Sequence, residues 1–268
     1  MGRAWRRAGA LAGRITKPPR DWLQSARFRF LGGPDGLPVP PRHLRELVWS
    51  VYEDIPTFFA DRDAERLKAA LRRNGVDLAG IHDVLDFGCG IGRVVRQFRG
   101  EPFRLCGTDI NRESIEWCRR HLPFARFEVN GAEPPLVFAA RSFEFVYTFS
   151  VFTHFTEPQQ RAWMKEVRRV LRPGGYMYLT TCGASYLSTM TSTEREAFAR
   201  GEQVIREPEQ AGRPQTYGAC LAIHPRQYVL DHLTGGFEVL EVVEAVEEPG
   251  RPKGEMDAYI LRRSPGPD

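Results

Sequence analysis

Between residues 83 and 182, short apolar segments alternate with segments of helical periodicity, and this alternation is the strongest constraint on the fold. Strand patterns separated by helical patterns predict βαβ units and a parallel sheet covered by helices. Two later strand patterns, FEVLEVVEAV and MDAYILRR, flank a turn-rich stretch and are expected to form an antiparallel hairpin at the sheet edge. We therefore predict an α/β, Rossmann-like, doubly wound fold with a mostly parallel seven-stranded sheet and an antiparallel C-terminal hairpin.

The chain of 268 residues suits one domain with additions. We expect a basic arm and linker at 1–36, an N-terminal helical cap at 37–80, and the main domain at 81–268, with an insertion at 185–217. Helices are predicted at 92–98, 112–121 and 157–171, and a helical run at 193–205 within the insertion. The insertion is read either as a substrate lid or as a surface elaboration, with equal weight.

The first 30 residues contain eight Arg or Lys and one acidic residue, a net charge of 8 − 1 = +7, whereas the whole chain carries +4. Such an arm can lie on an anionic membrane surface or touch nucleic acid. The favoured alternative is a solvated and partly disordered terminus. The oligomeric state is not indicated by any pattern.

The five cysteines are odd in number and form no CxxC pair, which argues against a disulfide framework and against a zinc site. We expect no metal. The sequence contains no run of about 20 apolar residues, the length that spans a bilayer. A soluble protein of the reducing cytoplasm is therefore expected.

Three glycines follow the first strand pattern at alternate positions, in VLDFGCGIGR. Gly88, Gly90 and Gly92 let the backbone approach a ligand, and the next helix offers free N–H groups. Dinucleotide-binding sites space their glycines as GxGxxG, which differs from the GxGxG of this chain. Asp86, just before the glycines, would repel a pyrophosphate and attract an ammonium group. The motif thus favours a ligand without phosphate.

Asp109 ends the second strand pattern, CGTDI. A carboxylate at this position can accept hydrogen bonds from both hydroxyls of a ribose. Its alternative role is to cap the helix beginning near Arg112, although Asn111 is better placed for that role. We expect the ribose role for Asp109.

The segments VLDFGCGIGR, GTDI, FEFVYTFSVFTHF and LRPGGYMYL occur in an order and spacing that resemble the class I S-adenosylmethionine-dependent methyltransferases, over roughly residues 81–262. More narrowly, the chain resembles bacterial methyltransferase-domain proteins often associated with glycan or secondary-metabolite pathways. The resemblance implies S-adenosyl-L-methionine as cofactor, with its adenine in the loop after the third strand and its sulfonium near the end of the fourth. The implied cofactor-binding residues are Asp86, Gly88, Gly90, Gly92, Asp109, Ile110, Asn130, Gly131, Ala132, Thr148 and Ser150.

His154, just past the fourth strand pattern, is the candidate catalytic base, because imidazole titrates near neutral pH. The alternative is a structural histidine that closes the strand-to-helix turn. Other candidates for acceptor contact have ordinary structural readings as well: Thr180, Thr181, Cys182, Tyr217 and His224.

The expected function is an enzyme that transfers a methyl group to a small-molecule or glycan acceptor, at a hydroxyl. The alternatives are a cofactor-binding partner protein without catalysis, or a methyltransferase acting on a protein or another nitrogen acceptor. A nucleic-acid partner is not expected, because the end of the fourth strand, YTFSVF, lacks the Asn/Asp-Pro-Pro-aromatic run that holds a flipped base.

Overall fold

The structure, a computed structural model, describes residues 32–48, 58, 63–207, 220–245 and 256–266. Backbone contacts divide the chain into two units, residues 1–39 and 40–268. In the first unit, the described residues form a turn in which Gly33 N donates to Leu37 O at 2.7 Å. The predicted basic arm at 1–30 and Tyr217 both lie outside the described residues.

The main sheet of the described residues has seven strands in the order β3-β2-β1-β4-β5-β9-β8. Strands β1 to β5 run parallel, whereas β9 pairs antiparallel with both β5 and β8. This topology confirms the predicted doubly wound sheet and its antiparallel hairpin. The strands, including the separate pair β6 and β7, are β1 Asp83–Phe87, β2 Arg104–Asp109, β3 Arg126–Val129, β4 Phe143–Thr148, β5 Leu171–Thr181, β6 Val204–Arg206, β7 Leu221–Ile223, β8 Phe237–Val243 and β9 Asp257–Arg263.

The described helices follow their sequence signals closely at most ends. Asn111 caps the helix at Arg112 by accepting from Ser114 N at 2.7 Å, and Thr156 and Gln159 form a capping box for the helix at Glu157. None of the described helices has the length and apolar character needed to cross a membrane. The α-helices are α1 Arg42–Val48, α2 Asp63–Arg73, α3 Arg112–His121, α4 Glu157–Val170, α5 Ser192–Ala199 and α6 Arg226–His232.

The predicted helix at 92–98 is wrong, because the segment forms turns and a short 3-10 helix, Val95–Phe98. Two glycines explain the difference. Gly92 has φ +70 and Gly100 has φ +90, so left-handed backbone bounds the segment at both ends and leaves too few residues for a regular α-helix.

Along each central strand, successive side chains point to opposite faces of the sheet, so that each face has its own set of packed residues. On one face, Phe87 packs against Trp163 of α4, with ring centroids 4.7 Å apart. On the other face, the parallel register aligns Asp86 of β1 with Tyr147 of β4, and Tyr147 with Tyr178 of β5. We call these three residues the Asp86 row.

The part of the insertion that the structure describes, residues 185–207, packs with β7 in a small apolar cluster around Met190, Val204 and Ile223. The helical run predicted at 193–205 is wrong in its second half: α5 ends at Ala199, and β6 follows and pairs antiparallel with β7. Gly201, with φ +85, accounts for this end.

Candidate functional site

The glycine loop, from Gly88 to Gly92, lies between the ends of β1, β2 and β4. Gly88 N and Cys89 N both donate to Thr108 O of β2 at 2.8 Å. Gly88 has φ +82, and an added Cβ would lie 2.2 Å from Cγ2 of Val151, the residue that follows Ser150 after β4. A bare backbone at Gly88 is therefore required by its neighbours within the protein as well as by any ligand above it.

Asp109, at the end of β2, is held by two backbone N–H groups. Its Oδ2 accepts from Gly90 at 2.8 Å and its Oδ1 accepts from Asn111 at 2.8 Å. Burial raises the pKa of Asp109, and these two hydrogen bonds oppose the rise. Because each carboxylate oxygen has about two acceptor positions, Asp109 keeps capacity for two further donors. This capacity fits a diol.

Asp86 is 2% exposed, and burial raises the pKa of its carboxyl to about 8. The nearby charge of Asp109 adds to the rise, whereas Tyr147 and Arg93 oppose it. A cationic ligand group would favour the ionised form of Asp86. The segment from Val84 to Asn111 contains no lysine, and Arg93, the arginine next to the glycines, is paired with Asp63. The two buried carboxyl groups suit an ammonium group and hydroxyls better than a pyrophosphate.

The loop after β3 is the predicted adenine site. Asn130 N donates to Asp109 O at 3.1 Å, and Asn130 Nδ2 donates to Gly131 O at 2.7 Å. Asn130 Oδ1 is buried and has no hydrogen-bond partner. Trp163 Nε1 fixes the loop by donating to Ala132 O at 3.2 Å. The free capacity at Asn130 is thus an acceptor, which fits the amino group of an adenine.

Ile110 is 50% exposed next to the buried Asp109. An exposed apolar side chain beside a polar group offers a flat surface for one face of a ring ligand. Ile110 and Asp109 thus lie side by side at the carboxyl end of β2.

Hydrogen bonds fix the loop after β4 in a specific conformation. Ser150 has φ +58, which is uncommon for a residue with a side chain. Ser150 N donates to Oγ1 of Thr180 at 2.9 Å, and Thr180 Oγ1 donates to Thr148 O at 3.2 Å. Thr148 Oγ1 is buried without a hydrogen-bond partner. The conformation of Ser150 thus depends on β5 as well as on β4.

His154 is half-buried at the end of a 3-10 turn, Phe152–His154. Its Nδ1 lies 3.4 Å from the carbonyl oxygen of Cys220, the residue before β7. If Nδ1 carries the proton for this contact, Nε2 carries the lone pair and can accept a proton. The contact orients the ring, so a structural and a chemical role are compatible at this residue.

His224 lies away from solvent, with 0% exposure and no hydrogen-bond partner for either ring nitrogen. Burial lowers the pKa of His224 to about 3, so the ring is neutral near pH 7. Its backbone N donates to Cys182 O at 2.8 Å, where the insertion meets β5.

Two residues near the site were missed by sequence reasoning, Arg93 and Asp63. Arg93 Nη2 lies 2.8 Å from Asp63 Oδ2, and both side chains are mostly buried. Arg93 directly follows Gly92, a position that could have drawn notice, whereas no sequence signal links Asp63 of α2 to the glycine loop.

Residues 84–175 match the model of a methyltransferase domain. The chain is 36% identical over 108 residues to a fatty-acid O-methyltransferase of Mycolicibacterium smegmatis, and the match covers 38% of each chain. The matched part therefore spans less than half the length of that curated relative.

Two solved structures share the fold at low identity. A methyltransferase of Methanosarcina mazei aligns with TM-score 0.54 and 23% identity, covering 72% of this chain and 97% of that one. The 1,6-didemethyltoxoflavin-N1-methyltransferase of Burkholderia thailandensis, solved with S-adenosylhomocysteine, aligns with TM-score 0.56 and 15% identity, covering 85% and 92%. The domain match and the seven-stranded topology confirm the predicted family and fold. The chain therefore contains a methyltransferase domain at residues 84–175, on a fold that it shares with solved S-adenosylmethionine-dependent methyltransferases.

Proposed function

We propose that the protein transfers a methyl group from S-adenosyl-L-methionine to a hydroxyl oxygen of a small-molecule acceptor. The observation that carries the proposal is the pair of buried carboxyl groups around the glycine loop, Asp86 and Asp109, one of which is fixed by Gly90 N. This arrangement fits a ligand with an ammonium group and a diol, and it lacks lysine for phosphate.

In this proposal Asp109 accepts hydrogen bonds from the ribose hydroxyls, and Ile110 packs on the adenine. The unpartnered Oδ1 of Asn130 accepts from the adenine amino group, with Gly131 and Ala132 forming the rest of that loop. Asp86 and the loop from Gly88 to Gly92 hold the methionine end. The bound cofactor would supply an activated methyl carbon. The protein's own task is then to orient the acceptor and to remove its proton.

Thr148 and Ser150 are proposed to line the position of the transferred methyl group, and His154 is proposed to take the acceptor's proton through Nε2. Ser150 Oγ lies 3.3 Å from Thr153 Oγ1, the residue before His154 in the same turn. A hydroxyl acceptor needs such a base, because its proton must leave as the oxygen–carbon bond forms.

The insertion supports an acceptor with an uncharged, partly apolar body. Two ion pairs lie within its described part, Arg206 with Glu194 at 2.8 Å and Arg200 with Glu202 at 2.8 Å. Tyr186 and Leu187 pack on its apolar cluster while staying partly exposed. The relative named as a fatty-acid O-methyltransferase is in line with the apolar body of such an acceptor, although a fatty acid presents a carboxyl group instead of a hydroxyl.

The test is methyl transfer from S-adenosylmethionine with a labelled methyl group, offered to hydroxylated small molecules, long-chain fatty acids and oligosaccharides. We expect label in a hydroxyl acceptor, in an ether bond that survives alkali. Label lost in alkali would indicate a methyl ester and contradict the hydroxyl assignment. Label on nitrogen would favour the alternative nitrogen acceptor.

His154→Ala is expected to lower kcat by about 10²-fold with little change in cofactor affinity, if the imidazole is the base. A normal kcat in a folded His154→Ala protein would leave the residue a structural role only. Tight binding of S-adenosylhomocysteine with no transfer to any acceptor would favour the non-catalytic partner protein.

A further inference from the structure

The side-chain amide of Gln160, in α4, holds two other parts of the chain at once. Its Nε2 donates to Phe155 O at 2.9 Å and to Gln203 Oε1 at 3.2 Å. The residue is 0% exposed, and its Oε1 is buried without a hydrogen-bond partner. This buried acceptor costs free energy, which lowers the net contribution of the side chain to stability. A functional reason for the glutamine is to be sought in the two groups that its Nε2 holds.

Those two groups are the turn that carries His154 and the insertion. Phe155 is the residue directly after His154 and ends the same 3-10 turn. Gln203 lies between α5 and β6, and its Nε2 donates to the hydroxyl of Tyr228 of α6 at 2.6 Å. Gln160 thus joins the insertion to the peptide next to the candidate base.

His154 itself makes a second link between the turn and the small sheet of β6 and β7. Its Nδ1 lies 3.4 Å from the carbonyl oxygen of Cys220, the residue before β7. Because β6 and β7 pair antiparallel, Gln203 before β6 and Cys220 before β7 lie at opposite ends of the pair. The turn of His154 is therefore held to both ends of this small sheet.

We propose that Gln160 and Gln203 are positioning residues for His154: they hold the β6–β7 sheet against the turn, so that the carbonyl of Cys220 keeps the ring proton on Nδ1. The inference rests on the proposed function, in which Nε2 of His154 takes the proton of the acceptor. It adds that the tautomer of this base is set from outside the matched methyltransferase domain, by Gln203 and Cys220.

The chemistry of the contact shows why the position of Cys220 matters. A backbone carbonyl accepts hydrogen bonds and donates none, so it favours a proton on the ring nitrogen that faces it. A neutral imidazole carries one ring proton, so Nε2 then keeps the lone pair that a general base needs. In the other tautomer Nε2 carries the proton and accepts none. A small sheet that moves away from the turn would thus leave part of His154 in an inactive form.

The test is nitrogen-15 NMR of the histidine rings in the wild type, Gln160→Met and Gln203→Met, without ligand. The measurement is made at about pH 8.5, above the ordinary imidazole pKa of about 6.5, and the His154 signals are identified by their absence in His154→Ala. We expect a proton on Nδ1 in the wild type and loss of this tautomer in both methionine variants. Methionine has the length of glutamine without its hydrogen bonds, and Gln203 is half-buried, so its replacement disturbs the core least.

Gln159→Met is the matched control. Gln159 is the next residue of the same helix, and its side chain bonds to Thr156 at the helix start and to Glu133 at 2.9 Å, with no bond to the insertion. This variant is expected to keep the wild-type tautomer. A proton on Nδ1 that persists in both Gln160→Met and Gln203→Met, or a wild type with the proton on Nε2, would overturn the proposal.

A second readout separates positioning from general loss of structure. With the acceptor that takes up label in the transfer assay, Gln203→Met is expected to lower kcat about tenfold and to leave the affinity for S-adenosylhomocysteine unchanged. An unchanged kcat would contradict the positioning role. A wild type that transfers no methyl group would instead contradict the proposed function, and the tautomer measurement, which needs no acceptor, would still decide whether Gln160 and Gln203 position His154.

Discussion

The backbone N–H of Gly90 donates to Oδ2 of Asp109 at 2.8 Å, so the carboxylate at the end of β2 and the glycine loop after β1 are fixed to each other. A second hydrogen bond, from Asn111 N to Oδ1 at 2.8 Å, fixes the other oxygen. The two proposed contacts to the cofactor, at the ribose and at the methionine end, therefore share one support.

Asp109→Ala is expected to weaken S-adenosylhomocysteine binding by about 1–3 kcal/mol, the usual loss for hydrogen bonds to a charged group. Calorimetry measures this. The control is Asp77→Ala. Asp77 precedes β1, whereas the glycine loop follows it, and the substitution removes a carboxylate that accepts from Ala79 N at 3.0 Å. An equal affinity in Asp109→Ala and the wild type would remove Asp109 from the binding site.

Gly88→Ala is expected to destabilise the protein by about 1–3 kcal/mol, because the new Cβ would meet Val151 at 2.2 Å. Gly100→Ala is the control, since Gly100 also has a left-handed φ, of +90, but has nothing within 4 Å of an added Cβ. Denaturant unfolding of both variants separates the clash from the backbone cost. Adding Val151→Ala to Gly88→Ala is expected to restore part of the loss; if it restores nothing, contact with Val151 is not the cause.

Asp86→Asn is expected to raise the melting temperature at pH 8 and to weaken cofactor binding at the same time. The carboxyl group must ionise in a buried place as pH rises through about 8, and the amide removes that cost. Melting curves between pH 5 and 9 should be flatter than those of the wild type. A lower melting temperature at pH 8 would show that the charged form of Asp86 stabilises the fold.

His224→Leu is expected to maintain or raise stability at pH 7, because it replaces two buried nitrogens that have no hydrogen-bond partner. The pKa of His224 is lowered to about 3, so the wild type loses stability as pH falls from about 6.5 towards 3, when the unfolded chain takes up a proton. The His224→Leu variant should not lose stability in this way as pH falls. His232→Leu, at an exposed position of α6, is the control and should keep it.

Glu194→Gln is expected to loosen the insertion without changing cofactor affinity. Glu194 caps α5 with Thr191 and pairs with Arg206 of β6 at 2.8 Å, and this pairing lowers the pKa of Glu194 to about 2. The lost cap and charge cost about 1 kcal/mol locally, which hydrogen exchange of residues 190–206 would detect. The exposed Glu202→Gln should have a smaller effect; equal exchange in both variants would contradict the role of Glu194.

Local patterns predicted the elements that depend on local chemistry. The apolar strand patterns located the seven strands, and Asn111 marked the start of α3. The placement of Asp86 and Asp109 at strand ends also follows, because carboxyl ends of parallel strands meet at one edge. Spacing on the chain was sufficient for these features.

The sequence patterns failed where a distant neighbour decides. The helical run at 193–205 contains Gly201, which ends α5, and β6, which becomes a strand by pairing with β7 later in the chain. The Asp63–Arg93 pair arises because α2 folds onto the glycine loop. The burial of His224, whose ring centroid lies 5.8 Å from that of Tyr228 of α6, depends on tertiary packing. None of these tertiary contacts produces a hydrophobic periodicity in the sequence.

The chain leaves the main sheet after Cys182, before the insertion, and comes back to it at His224, where His224 N donates to Cys182 O at 2.8 Å. Gln203 of the insertion is also tied to the helices, because it accepts from Gln160 of α4 at 3.2 Å and donates to the hydroxyl of Tyr228 of α6 at 2.6 Å. Two residues before Cys182, Thr180 holds the Ser150 amide. The end of β5 is therefore a shared support for the insertion and for the loop that is proposed to face the methyl group.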